Sequence, residues 1–359
     1  MNALDARNRK IIDAVLRKEQ AVCPGAVALI GIYGSFGTGD VHPLSDLDLL
    51  ILINDERGRQ LSTAFIQDDL GVGHDIYCTT WEDLRQDAGY THPHIAKLMD
   101  ARIVYCAAEK YRAALEELRA QARKMLAEPF GEADYRRAEG ELNEARQCYA
   151  GAMLAEELTE IRRRAGGVIY FAENAVALLN KTYFREGVRR RYEELNALAK
   201  RPENLCGLIE DVLAAGTAAC LKERLTALRR ALAACFQAAQ QALPAEKQPA
   251  CPETLAGTYE EMYSNWHGKM ALAAEANDRH LAFMSLVSLN EMLSEIHSGV
   301  DTEPRDALAA YDPEDLAKTA AAFDALLQSY LREYEKAGLK AEHHADIDAA
   351  MAAYLGTDR

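Results

Sequence analysis

Two different hydrophobic periods run along the chain, and the change falls near residue 110. Before it, short β-branched and apolar runs are separated by Gly, Pro, Asp and Ser. Ala26–Tyr33 (AVALIGIY), Leu47–Ile53 (LDLLILI), Val72–Cys78 (VGHDIYC) and Arg102–Tyr105 (RIVY) read as four strands. Thr80 and Asp83 have the spacing of an N-cap and its reciprocal partner, which predicts a helix start. Met1–Gln20 mixes charges with Ile11, Ile12, Val15 and Leu16, the pattern of an amphipathic helix and not of a signal peptide.

After residue 110 the spacing becomes three and four. Leu142, Ala145, Tyr149 and Ala152 form one stripe, and Ile169, Ala172, Val176 and Leu179 another. Leu221 to Cys235, Phe283 to Ile296, and Leu316 to Tyr334 continue the pattern. Asp312-Pro313 reads as the start of that last helix. Pro244, Pro249 and Pro252 interrupt the helical region. The fold class is therefore α+β: a small mixed-sheet domain over 1–110, then a large all-helical C-terminal region in two parts, 111–243 and 253–359.

The chemistry concentrates in Gly31–Ile53, GIYGSFGTGDVHPLSDLDLLILI. A strand runs into Gly34-Ser35, a glycine-rich loop follows, and Ser45-Asp46-Leu47-Asp48 opens a second strand. Alternation along a strand puts Asp46 and Asp48 on one side, with Leu47 and Leu49 turned into the core. Two adjacent carboxylates at the head of an apolar strand repel each other unless a cation lies between them. Hard oxygen ligands favour Mg²⁺, which also binds substrate phosphates. Gly34 lets backbone approach a phosphate closely, and Ser35 adds a hydroxyl. Asp75, on the next strand, supplies a third carboxylate that can ligate metal or take a proton. His74 is expected to face away from it.

Gly34-Ser35, Asp46-x-Asp48 and the later Asp75 match in order and spacing the signature of the DNA polymerase beta-type nucleotidyltransferase superfamily. Over about residues 22–105 the chain resembles that superfamily, and most of all its bacterial small-molecule group, the aminoglycoside and lincosamide nucleotidyltransferases. The resemblance implies a catalytic set of Asp46, Asp48 and Asp75 that binds two Mg²⁺ ions. It implies an NTP, taken as ATP, held at Gly34 and Ser35, and AMP transferred to the hydroxyl of a small-molecule acceptor with release of pyrophosphate. Many members carry an arginine after the Gly-Ser turn, where this chain has Phe36-Gly37-Thr38. Lys181 and the clusters Arg162–Arg164 and Arg189–Arg191 are the candidate replacements. The same absence motivates the alternative of a catalytically weak nucleotide-binding or regulatory protein on this fold.

The charge balance narrows the partners. The 56 acidic and 41 basic residues give a net charge of −15, which argues against nucleic acid or an anionic membrane as partner and suits a cationic acceptor. Glu260 or Glu261 could bind such a cationic group, and Glu139, Glu141 and Glu144 could reach the cleft as a second base. No 18-residue uncharged apolar run is present, and the eight cysteines include no Cys-x-x-Cys pair. They read as reduced residues of a cytoplasmic protein.

Overall fold

A computed structural model describes residues 3–243 and 247–356, which divide into two compact units, Met1–Leu243 and Pro244–Arg359. In the first unit α1 (Ala3–Val22) precedes β1 (Val27–Ile32), the single turn α2 (Ser35–Thr38) and β2 (Leu49–Ile53). A 3₁₀ turn over Glu56–Leu61 leads into the hairpin β3 (Thr63–Gln67) and β4 (Val72–Ile76), then β5 (Cys78–Thr80), α3 (Trp81–Ala88), α4 (Ala96–Met99) and β6 (Arg102–Cys106). The main sheet has the order β5-β2-β1-β6. β1 is antiparallel to β2 and β6, and β2 is parallel to β5.

β1 and β2 are buried at every position, as expected of strands covered on both faces. The two faces feed two cores. Val27, Ile30, Ile32, Leu49, Ile51 and Ile53 pack with Val15 of α1. Ala28, Leu29, Leu50 and Leu52 join a larger cluster that continues into the helices. Those helices are α5 (Glu109–Ala127), α6 (Glu132–Leu154), α7 (Leu158–Leu179), α8 (Arg191–Ala197), α9 (Leu205–Leu213) and α10 (Ala218–Gln241). The long pair α6 and α7 pack on each other, and the stripes Leu142–Ala152 and Ala172–Leu179 contribute to that core.

In the sheets, one strand reading shifts and one strand was missed. The third strand is split at Tyr77 into β4 and β5: β4 pairs with β3 in a separate two-stranded sheet, and only β5 joins the main one. β3 carries no apolar alternation, because its residues are mostly exposed, and so it had no signal in the pattern.

The second unit comprises β7 (Gln248–Pro249), α11 (Pro252–Leu255), α12 (Thr258–Met262), a π-helical stretch over Tyr263–His267, α13 (Gly268–Ala276), α14 (Arg279–Gly299), β8 (Val300–Asp301), α15 (Leu316–Lys336) and α16 (Ile347–Leu355). Its core gathers Leu286, Leu289, Phe323, Leu327, Tyr330 and Tyr334 with Tyr259 and Met262. The last long helix starts at Leu316, not at Pro313. Asp315 is its cap, accepting the Lys318 amide at 2.9 Å, while Asp312 closes a preceding turn by accepting the Glu314 amide. Among the described residues no helix is long and apolar enough to cross a membrane, and all eight cysteines are free thiols.

Candidate active site

β1 delivers the chain to Gly34, and the segment before β2 returns Asp46 and Asp48 beside it. The ladder runs one step beyond β1, with the Tyr33 amide donating to the Asp48 carbonyl at 3.2 Å. Gly34 has φ +61°, and a Cβ built there would overlap the Asp48 carboxylate. Glycine is needed twice at this position, for the left-handed backbone and for the missing side chain. The Ser35 amide donates to the Asp48 carboxylate. The Ser35 Oγ is buried and has no hydrogen-bond partner among the described residues. A buried hydroxyl left without a partner is costly, so it is a donor waiting for an acceptor.

Leu47 and Leu49 are buried in the α1-side core, while Asp46 and Asp48, at the alternate positions, stay partly exposed ahead of β2. Burial, and then the nearby charge of Asp46, push the Asp48 carboxyl up to about 6, against the lowering effect of the Ser35 amide. An anionic Asp48 is thus destabilised until a cation reaches it. Among the described residues no three His, Cys, Asp or Glu side chains converge to enclose a metal. The donors present, two carboxylates beside an unpartnered hydroxyl, fit Mg²⁺, which fills the rest of its shell with water and phosphate oxygens.

Asp75 is exposed on β4, opposite Ala64 of β3. The parallel register of β2 and β5 pairs Ile51 with Cys78 and ends there, because β4, which carries Asp75, belongs to the separate β3–β4 sheet. Asp75 and Asp46 line one open cavity of 380 Å³ with Phe65, Ile66 and His74. His74 is buried on the other face of β4, stacked on Phe65 and 3.2 Å from Gln67 Oε1.

The candidate cations lie elsewhere in the first unit. Lys181, with φ +50°, places its ammonium 3.0 Å from Asp134 in a nearly closed site, where Arg137 also donates to Asp134. A triphosphate would have to compete with that carboxylate. Arg163 and Arg164 both pair with Glu160. Of these candidates among the described residues, Arg190 comes nearest the glycine loop, 3.6 Å from Asp40 just past it, though Glu186 and Glu193 also hold it.

Next to Arg190, a cavity of 600 Å³ is lined by His94, Tyr170, Glu173, Arg189 and Arg191 among others. Arg191 lies over the Phe184 ring at 3.3 Å, with Glu173 and Glu194 each 3.6 Å away. The His94 Nε2 meets Asn174 Oδ1 at 2.9 Å, and the Asn174 amide donates to Glu141 at 3.0 Å. Of the three helical glutamates near this region, Glu141 therefore belongs to a polar chain. Glu139 pairs with Arg136, and Glu144 accepts from Gln147. His94 and Asn174 lie 80 residues apart, and no local spacing announces them. In the second unit Glu260 is bound structurally, by the Tyr334 hydroxyl and the Glu342 amide.

Comparison with known proteins bears on the same segment. Residues 9–105 match the family model of the nucleotidyltransferase domain. The chain is 31% identical over 106 residues to a bifunctional uridylyltransferase/uridylyl-removing enzyme of Nitrosococcus oceani, covering 26% of this chain. It spans only 12% of that enzyme. A crystal structure of a nucleotidyltransferase-like protein from Exiguobacterium sibiricum 255-15 overlaps 78% of this chain and 88% of its own, with a TM-score of 0.33 and 11% identity. Residues 9–105, which hold the Gly34-Ser35 turn and the Asp46–Asp48 pair, are thus the part of the chain that is similar to a nucleotidyltransferase domain.

Proposed function

We propose that the chain is a Mg²⁺-dependent nucleotidyltransferase that moves a nucleoside monophosphate from an NTP to the hydroxyl of a small molecule. The observation that carries the reading is the Asp46–Asp48 pair, set against a glycine that cannot bear a side chain and a buried hydroxyl without a partner. Asp46 and Asp48 would hold two Mg²⁺ ions, which when bound neutralise charge on the transferring phosphate. Gly34 and Ser35 contact the β- and γ-phosphates. The acceptor oxygen forms its bond to the α-phosphorus as the bond to the bridging oxygen breaks. Its proton goes to Asp75 and then to water, and pyrophosphate leaves. Arg190, 3.6 Å from Asp40, would be the cation that serves the loop in the absence of an arginine after Ser35.

ATP is the nucleotide expected from the small-molecule group, with a cationic acceptor suited to the net charge. The likeness to a uridylyltransferase favours UTP as the second reading. Calorimetric titration with Mg-ATP and Mg-UTP tests both. Asp46→Asn and Asp48→Asn are each expected to weaken binding of the preferred nucleotide about tenfold or more, as loss of a metal-held charge does. Unaltered binding in both variants overturns the site. Pyrophosphate release with an acceptor panel then separates a working transferase from a nucleotide-binding regulator.

A further inference from the structure

A second cavity, of 320 Å³, lies between α1 and the β3–β4 hairpin. That is the small end of the ~300–1,000 Å³ range of ligand sites. Its walls are apolar: Ile11 and Val15 from α1, Leu61 from the 3₁₀ turn, Phe65 and Ile76 from the hairpin. Arg7, Lys10 and Lys18 stand along it, and none of its lining residues is acidic. The spacing of Arg7, Lys10, Ile11, Ala14, Val15 and Lys18 is that of one helix face, so the cations border an apolar stripe.

This local charge is unusual in a chain of net −15. The lysine ion pairs of the described residues are those of Lys97, Lys124, Lys181 and Lys318. Among the described residues Lys10 and Lys18 have none. Arg7 donates from Nη2 to the Ser45 carbonyl at 2.9 Å and to Asn8 Oδ1, while its Nη1 is buried without a partner. A buried guanidinium nitrogen with no acceptor carries a desolvation cost that an incoming anion would relieve. Arg7 and Lys18 are ~16 Å apart along the helix axis at ~1.5 Å per residue. One anionic group cannot meet both, and the unpartnered Nη1 selects the Arg7–Lys10 end.

We propose that this groove binds a small amphipathic anion, an alkyl carboxylate whose charged end meets Arg7 and Lys10 and whose body lies against Ile11, Val15 and Phe65. The site is separate from the nucleotide reading and does not depend on it. The two are nevertheless neighbours. Phe65 lines both cavities, and the arginine that would take the carboxylate also holds the carbonyl of Ser45, next to Asp46.

Titration calorimetry of the full chain with octanoate, octan-1-ol and octylammonium tests it. Octanoate is expected to bind saturably, octanol about tenfold more weakly, and octylammonium not at all, since a charge-assisted bond separates the three. Lys10→Glu, at an exposed position, is expected to weaken octanoate about tenfold and leave octanol unchanged. Ala14→Trp fills the groove and removes both. Circular dichroism checks that each variant is folded; if Ala14→Trp is not, Lys10→Glu decides alone. Absence of saturable octanoate binding, equal binding of the three probes, or octanoate affinity unaffected by Lys10→Glu overturns the proposal.

Discussion

Asp48 shows how one residue can be held in a state that does not favour the chain's own stability. Its carboxyl titrates at about 6 when folded, against 3.8 when exposed, because burial and Asp46 both disfavour the anion. The folded state therefore holds this proton more tightly than the unfolded state. Its favourable contribution is complete below about pH 4 and is lost as the pH rises through about 6. Asparagine at this position carries no such penalty. Asp48→Asn is expected to stabilise the metal-free chain at pH 7.5 by about 1–2 kcal/mol, a figure reduced to allow for partial solvent screening, and to have little effect near pH 4. Thermal melts in a chelator at the two pH values measure the difference; equal melting temperatures at pH 7.5 would contradict it. The same substitution weakens nucleotide binding in the proposed function, so stability and function move in opposite directions at this residue.

At the scale of elements, the pattern was most legible where burial is one-sided or complete. β1 and β2 stood out because every position is buried, and α3 because its cap is written in the chain. Thr80 Oγ1 accepts the Asp83 amide at 3.2 Å while Asp83 accepts the Thr80 amide at 2.8 Å. Thr80→Ala is expected to cost about 1 kcal/mol of stability, and chemical denaturation of the two proteins checks it, an unchanged midpoint being the contrary result. The β3–β4 hairpin was only half visible. Its outward residues are polar and apolar without order, and Ile66 is 74% exposed, so period 2 is absent from β3. The site divides in the same way. Gly34, Ser35, Asp46 and Asp48 were readable because they lie within one turn and two strand ends. Arg7, His94, Asn174 and Arg190 were not read as a set, because tertiary packing alone brings them to their partners.

For the whole molecule, the important boundary is the one near residue 243. A single buried cluster joins Leu29, Leu50 and Leu52 of the sheet to Leu142, Val176 and Leu228 of the helices, while Leu286, Phe323 and Tyr330 form another in the second unit. The hydrophobic period changes near residue 110, but the first core does not end there. A fragment of residues 1–243 is expected to unfold in one cooperative transition, and a fragment of residues 1–110 to lack one, because half of the faces of β1 and β2 would meet water. Calorimetric melts of the two fragments check this; a cooperative melt of the shorter one would refute it. That shared core also sets a schedule during synthesis. The strands that bear Asp46 and Asp48 leave the ribosome well before the helices that cover them. At ~5–20 residues per second, the wait from residue 110 to residue 243 is on the order of ten seconds. Throughout it, Leu29, Leu50 and Leu52 have no native cover, which makes this nascent sheet a substrate for whatever shields apolar surface in the cell.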